Sequence, residues 1–273
     1  MGTFTIDGGH KLKGTLTPQG AKNEALQILA AVLLTADEVE LHNIPEIRDI
    51  LRMIELLKGL GVKVEHKAKG NWVFKADEID LDYFHTDEFR TKGAAIRGSI
   101  MIIGPLLARF GIGYIPSPGG DKIGRRRLDT HFIGFESLGA EFIYNKDTGF
   151  YKVEGKNLRG SYMLLEEASV TGTANILMAA VMAKGTTTIY NAACEPYLQQ
   201  LCKMINSMGG KISGVGSNLL VIEGVSELAG CVHTILPDMI EIGSFISLAA
   251  LTQSEITIEK CRVDQLGIIP KVF

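Results

Sequence analysis

Apolar and polar positions along this chain change period in a set succession, and the succession occurs three times. From Ala25 to Leu34 only Gln27 interrupts an apolar run, the pattern of a helix buried on all sides. After the acidic turn Ala36-Asp-Glu38, Val39 to Asn43 alternates as a half-buried strand does. A helical period follows from Pro45 to Leu60 and stops at Gly61, and a strand pair runs on through Phe74. Ser99 to Ala108, Gly113 to Ser117 and Leu128 to Leu138 repeat these blocks, with a stop at Gly139 before Glu141-Phe-Ile143. Ala174 to Ala183, Thr186 to Tyr190 and Pro196 to Met208, stopping at Gly209, repeat them again. The turns after the first helices fall at Thr35, Arg109 and Lys184, 74 and 75 residues apart. That spacing predicts a domain of three βαβα-type units.

Around this repeat, residues 3 to 18 predict two strands joined by a turn at Gly8-Gly9. A fourth unit opens with a helix over Ile242 to Leu251 and a strand over Glu255 to Glu259, and Pro270 to Phe273 reads as the start of its second helix. A helix lacking its glycine stop and return strand leaves apolar faces uncovered. The expectation is therefore an incomplete second domain, in a fragment or truncated form of a longer protein.

Of the 273 residues 46% are hydrophobic and 22% charged, which fits a globular chain with sizeable cores. The net charge of −3 argues against a general nucleic-acid or anionic-membrane binder, so any anion site must be local. Cys194, Cys202, Cys231 and Cys261 have no paired metal-ligand spacing and read as reduced thiols; no metal or organic cofactor is expected. The first residues have neither the basic start nor the apolar run of a signal peptide, and the Ser99–Ala108 stretch is far short of the roughly 20 residues a span needs. A cytoplasmic location is expected.

Candidate chemistry concentrates between Pro116 and His131. Gly119 and Gly120 allow consecutive N–H groups to turn to one concave side. Arg125, Arg126 and Arg127 bring guanidinium forks that match phosphate oxygens, and Asp121 and Asp129 add carboxylates. Read by themselves, a Pro-Gly-Gly run is also an ordinary turn, a triple arginine also a solvated face, and a lone His131 more often structural than catalytic.

Several motifs together narrow the reading. Gly20-Ala-Lys-Asn23, Gly104-Pro-Leu-Leu-Ala-Arg-Phe-Gly111, Pro118-Gly-Gly-x-x-Ile-Gly124 with Arg126 and Asp129, Asn191-Ala-Ala-x-Glu-Pro196 and Leu236-Pro-Asp-x-Ile-Glu-x-Gly243 occur in this order. In combination they resemble the UDP-N-acetylglucosamine 1-carboxyvinyltransferase family of enolpyruvyl transferases. The resemblance implies an α/β fold, an inside-out α/β barrel in which three repeated units enclose their helices in sheets. It places one complete domain at residues 21–228 and a partial second domain at 1–20 and 229–273. It also implies transfer of the enolpyruvyl group of phosphoenolpyruvate to the 3-hydroxyl of UDP-N-acetylglucosamine, with release of phosphate. The same architecture serves 3-phosphoshikimate 1-carboxyvinyltransferase, but the Pro118–Gly120 loop and Leu236-Pro-Asp238 favour the sugar nucleotide. A non-catalytic UDP-sugar-binding paralogue is the other alternative.

Carried over residue by residue, the resemblance sets Lys22 and Asn23 against phosphoenolpyruvate, and Arg126 against both substrates. Arg97, Arg127, Leu128, Asp129, Thr130, Ser169, Val170 and Thr171 would line the sugar-nucleotide side. Ser169-Val-Thr-Gly172 departs from the Ser-Val-Gly frequent in the family. Asp121 stands where many relatives carry a cysteine that protonates the enol methylene and is alkylated by fosfomycin. The general base for the sugar hydroxyl is expected outside this chain.

Overall fold

The computed structural model describes residues 3–116, 128–145 and 150–273. Strand β1 (Lys13–Leu16) precedes the first repeat, which comprises helix α1 (Lys22–Ala31), strand β2 (Glu38–His42), helix α2 (Arg48–Gly59) and strands β3 (Lys63–Ala68) and β4 (Asn71–Lys75). Helix α3 (Asp87–Ala94) leads into the second: a 3-10 turn over Arg97–Ile102, helix α4 (Ile103–Phe110), β5 (Ile112–Pro116), α5 (Asp129–Ser137), β6 (Glu141–Asn145) and β7 (Phe150–Glu154). The third contains β8 (Tyr162–Leu164), α6 (Val170–Ala180), β9 (Thr186–Tyr190), α7 (Pro196–Ser207), β10 (Lys211–Ser213) and β11 (Leu219–Glu223). Strand β12 (Cys231–Thr234), helix α8 (Met239–Leu251), β13 (Glu255–Ile258) and the short α9 (Ile269–Val272) follow.

The sheets carry the repeat. The orders β12-β2-β4-β3 and β8-β9-β11-β10 are the same, with a parallel first pair and antiparallel pairs after it. The second repeat forms the antiparallel order β5-β7-β6, and β1 with β13 makes a parallel pair like β8 with β9. Strand β12, although beyond residue 228, sits on the first repeat's sheet. Helices lie inside and strands outside; among the described residues the sheets stay separate rather than bonding into one closed barrel.

Helices α1, α4 and α6 form the centre because their sequences offer apolar or small side chains on every face. They run in the same direction. At one end Leu26 packs against Gly98, and midway Gly104 lies on Asn175, where an added Cβ would come 2.2 Å from the Asn175 carbonyl oxygen. At the far end the Arg109 guanidinium donates to the carbonyls of Leu33 (3.0 Å), Thr35 (2.9 Å) and Ala76 (2.9 Å). At Leu33 and Thr35 the cation satisfies carbonyls that a helix C-terminus leaves without partners, and at Ala76 one that follows β4.

The second helix of every repeat also closes alike. Gly61, Gly139 and Gly209 take φ of 93°, 90° and 102°. In each case the glycine N–H and the next residue's N–H reach back to the last turn: Gly61 to Lys58 and Val62 to Leu57, Gly139 to Glu136 and Ala140 to Phe135, Gly209 to Asn206 and Gly210 to Ile205. This two-bond C-terminal motif requires a left-handed residue, which glycine supplies without a Cβ penalty.

Two expectations are corrected. Residues 3–10 form no strand: Phe4 and Ile6 are 93% and 89% exposed, with no apolar surface to alternate against. The helix expected over Ser99–Ala108 starts as a 3-10 turn, and its α-helical part begins at Ile103, which puts Pro105 in the first turn, where its missing N–H is not needed. No single described helix is long and apolar enough to cross a membrane.

Candidate active site

Two chain segments cross beside the start of α1. Gly20 bridges Pro237, Ala21 N–H donates to Leu236 O (2.7 Å), and Asp238 N–H donates to Gln19 O (2.8 Å). Asp238 caps α8 by accepting from Ile240 N–H (2.9 Å) and also accepts from Lys22 N–H (3.3 Å), while Glu241 accepts from Gln19 N–H (2.7 Å). Lys22 and Asn23 thus occupy the first turn of α1, where N–H groups and the helix dipole favour an anion. The half-exposed Lys22 Nζ pairs with Asp49 Oδ2 at 2.5 Å. Asn23 is exposed, and burial pushes up the phenol pKa of Tyr197 on α7.

On the same side, the starts of α5 and α6 meet. The Thr130 methyl lies over Gly172, and Thr171 Oγ1 is 3.4 Å from His131 Nε2. His131 is only 2% exposed. Its neighbour Asn175 is fixed in orientation, since its Oδ1 accepts from Gly104 N–H (2.7 Å) and its Nδ2 donates to Ile100 O (2.9 Å). That Nδ2 also faces His131 Nδ1 at 3.0 Å, so Nδ1 is the acceptor and the neutral ring carries its proton on Nε2, toward Thr171. Burial, reinforced by the nearby positive charge of Arg97, lowers the His131 pKa to about 4.

The fold therefore brings Arg97, Leu128–Thr130 and Ser169–Thr171 to one side of the helix cluster, with Lys22 and Asn23 at the same end of the neighbouring α1. Ser169 caps α6 by accepting from Gly172 N–H (3.2 Å). Asp121, Arg126 and Arg127, with the rest of the Gly-Gly loop, lie outside the described residues. A cleft of about 780 Å³ lies beside the crossing, among Gln19, Gly20, Asn43, Glu46, Leu236 and Lys260, and none of the predicted site residues lines it. No group of three or more His, Cys, Asp or Glu suited to a metal ion occurs among the described residues.

Comparison with known proteins bears on this geometry. The family model described as EPSP synthase (3-phosphoshikimate 1-carboxyvinyltransferase) matches residues 6–272. The chain belongs to the EPSP synthase family. Within it, the chain is 61% identical over all 273 residues to a UDP-N-acetylglucosamine 1-carboxyvinyltransferase of Bacteroides thetaiotaomicron and 58% identical to one of Porphyromonas gingivalis. It spans 63% of the length of each. Among solved structures it resembles the enolpyruvyl transferase NikO of Streptomyces tendae (TM-score 0.75, 19% identity, 88% of this chain and 56% of that one). It likewise resembles an EPSP synthase of Acinetobacter baumannii (TM-score 0.72, 17% identity, 93% of this chain and 56% of that one). At these identities the structural likeness concerns the fold alone.

The enolpyruvyl transferase motifs pointed to Lys22 and Asn23 but not to what holds them. Asp49 pairs with Lys22, His233 holds Glu24 of the same turn from 209 residues away, and Asn175 orients His131. The available signal for Asn175 was a single polar residue in the otherwise apolar run Ala174–Ala183, fully buried; Glu24 follows Lys22 and Asn23 and carried no such signal. A polar group in such a run needs a specific partner.

Proposed function

We propose that the protein containing this chain transfers the enolpyruvyl group of phosphoenolpyruvate to the 3-hydroxyl of UDP-N-acetylglucosamine, releasing phosphate. The observation that carries this reading is the 61% identity over the whole chain to a relative of that name. The clustering of Arg97, Leu128–Thr130 and Ser169–Thr171 near the Lys22 end of α1 supports it, because two anionic substrates need such cationic, N–H-rich surroundings. Residues 21–228 are assigned to one domain, and 1–20 with 229–273 to part of a second.

The reaction runs by addition and elimination. Asp121 protonates the methylene carbon of phosphoenolpyruvate, the sugar hydroxyl attacks the adjacent cationic carbon and loses its proton to a base, and a tetrahedral ketal forms. The Asp121 carboxylate takes a proton back from the new methyl group as phosphate departs, stabilised by Lys22 and Arg126, and the enol ether product forms. Arg97, Arg127, Leu128, Asp129, Thr130, Ser169, Val170 and Thr171 hold the sugar nucleotide. This is the first committed step of peptidoglycan synthesis, and a cytoplasmic location suits it.

The test is phosphate release from phosphoenolpyruvate by the protein at the full length its gene encodes, with UDP-N-acetylglucosamine and with shikimate 3-phosphate as acceptors. Release with the sugar nucleotide alone is expected. Release with shikimate 3-phosphate alone, or binding of the nucleotide without release, overturns the proposal.

A further inference from the structure

Helix α1 begins without a side-chain cap of its own, since its N-cap residue is Ala21. Its first turn is tied instead to the second crossing segment. Glu24, with no exposed surface, sits at the third helical position, where a glutamate often reaches back to its own N-cap. Here it reaches across the fold: one oxygen accepts from Leu236 N–H (3.2 Å) and the other meets His233 Nε2 (3.0 Å). His233 itself is nine-tenths buried on β12, at the edge of the first sheet, and Lys203 of α7 adds a more distant positive charge. Leu236 in turn receives Ala21 N–H, and Asp238 receives Lys22 N–H, so Glu24 closes a set of bonds around the two residues facing the anion.

We infer that Glu24 and His233 are a positioning pair that sets the Lys22–Asn23 turn for the phosphate-bearing substrate by fastening it to residues 233–238. Neither side chain touches the substrate; both act through the backbone of the first turn. A buried carboxylate held by one backbone N–H and one imidazole has no alternative partner in water, so removing either member frees the turn rather than merely weakening it. Because Lys22 and Asn23 serve the small phosphorylated substrate and not the sugar nucleotide, the effect falls on one substrate only.

This inference rests on the proposed roles of Lys22 and Asn23, and the experiment separates the two. Steady-state phosphate release is measured on the protein at the full length its gene encodes, for wild type, Glu24→Ala, Glu24→Gln and His233→Gln. Thermal melts confirm that each variant is folded. A wild type that releases no phosphate from phosphoenolpyruvate and UDP-N-acetylglucosamine overturns the parent reading and this one with it. With an active wild type, Glu24→Ala is expected to raise KM for phosphoenolpyruvate about tenfold while KM for the sugar nucleotide stays within twofold. Glu24→Gln, which keeps an acceptor for Leu236 N–H, is expected to recover most of the loss. Equal changes in both KM values, or a lower melting temperature with neither KM changed, overturns the inference. If Glu24→Ala does not fold, His233→Gln decides by the same split: a selective rise of threefold or more in KM for phosphoenolpyruvate supports the inference, and anything less refutes it.

Discussion

Acidification should destabilise this protein through His131, among other groups. Its ring lies between Asn175 and Thr171, with Arg97 as the nearby cationic neighbour, and its pKa is lowered from 6.5 to about 4. A histidine whose folded pKa is depressed adds stability that is fully present above the unfolded value of 6.5 and is lost as pH falls through that value toward about 4. The full shift corresponds to about 3 kcal/mol, of which about 2 kcal/mol is lost between pH 7 and pH 5. The perturbation that isolates it is His131→Gln, which keeps an acceptor for Asn175 Nδ2 but cannot be protonated in this range. Urea unfolding of wild type and variant at pH 7, 6 and 5 measures the difference. The variant should be less stable at pH 7, and the gap should narrow by about 2 kcal/mol by pH 5 as the wild type pays the protonation cost alone. A gap that stays constant across these pH values would refute the neutral, buried imidazole.

Three further outcomes are expected. Gly104→Ala forces a Cβ to 2.2 Å from the Asn175 carbonyl oxygen, so α4 and α6 must separate, lowering unfolding free energy by about 1–3 kcal/mol in a urea titration. Arg109→Met leaves the carbonyls of Leu33, Thr35 and Ala76 without their shared donor and should cost roughly 2–3 kcal/mol in the same assay, whereas a surface arginine would cost under about 0.5 kcal/mol. Fosfomycin should leave the protein's mass unchanged, because a carboxylate at position 121 opens epoxides less readily than a thiolate; Asp121→Cys should gain one adduct, and an adduct on Asp121 itself would contradict the assignment.

Much of the fold was legible because it is encoded locally. The buried helices announce themselves as apolar runs, and the three second helices end where Gly61, Gly139 and Gly209 allow a left-handed turn. The 74- and 75-residue spacing of Thr35, Arg109 and Lys184 pointed to three repeated units; that Arg109 reaches the Thr35 carbonyl is seen only in the structure. Residues 3–10 misled because alternation is a statement about two faces, and Phe4 and Ile6 have nothing to cover theirs. Strands β8 and β12 were missed because, at three and four residues, they are too short to show an alternation that stands out, and no tight turn links them to their parallel partners.

For the candidate site the division is sharper. Period, punctuation and motif order determined from sequence which helices are buried, where they stop, and that Lys22-Asn23 stands at the head of one of them. Only the tertiary structure decided what those residues meet. Glu24 finds His233 across 209 residues and His131 finds Asn175 across 44, and these pairings fix the seating of the first turn and the tautomer of the imidazole. A side chain's charge state depends on the dielectric and the partners that packing brings to it, and linear order carries neither.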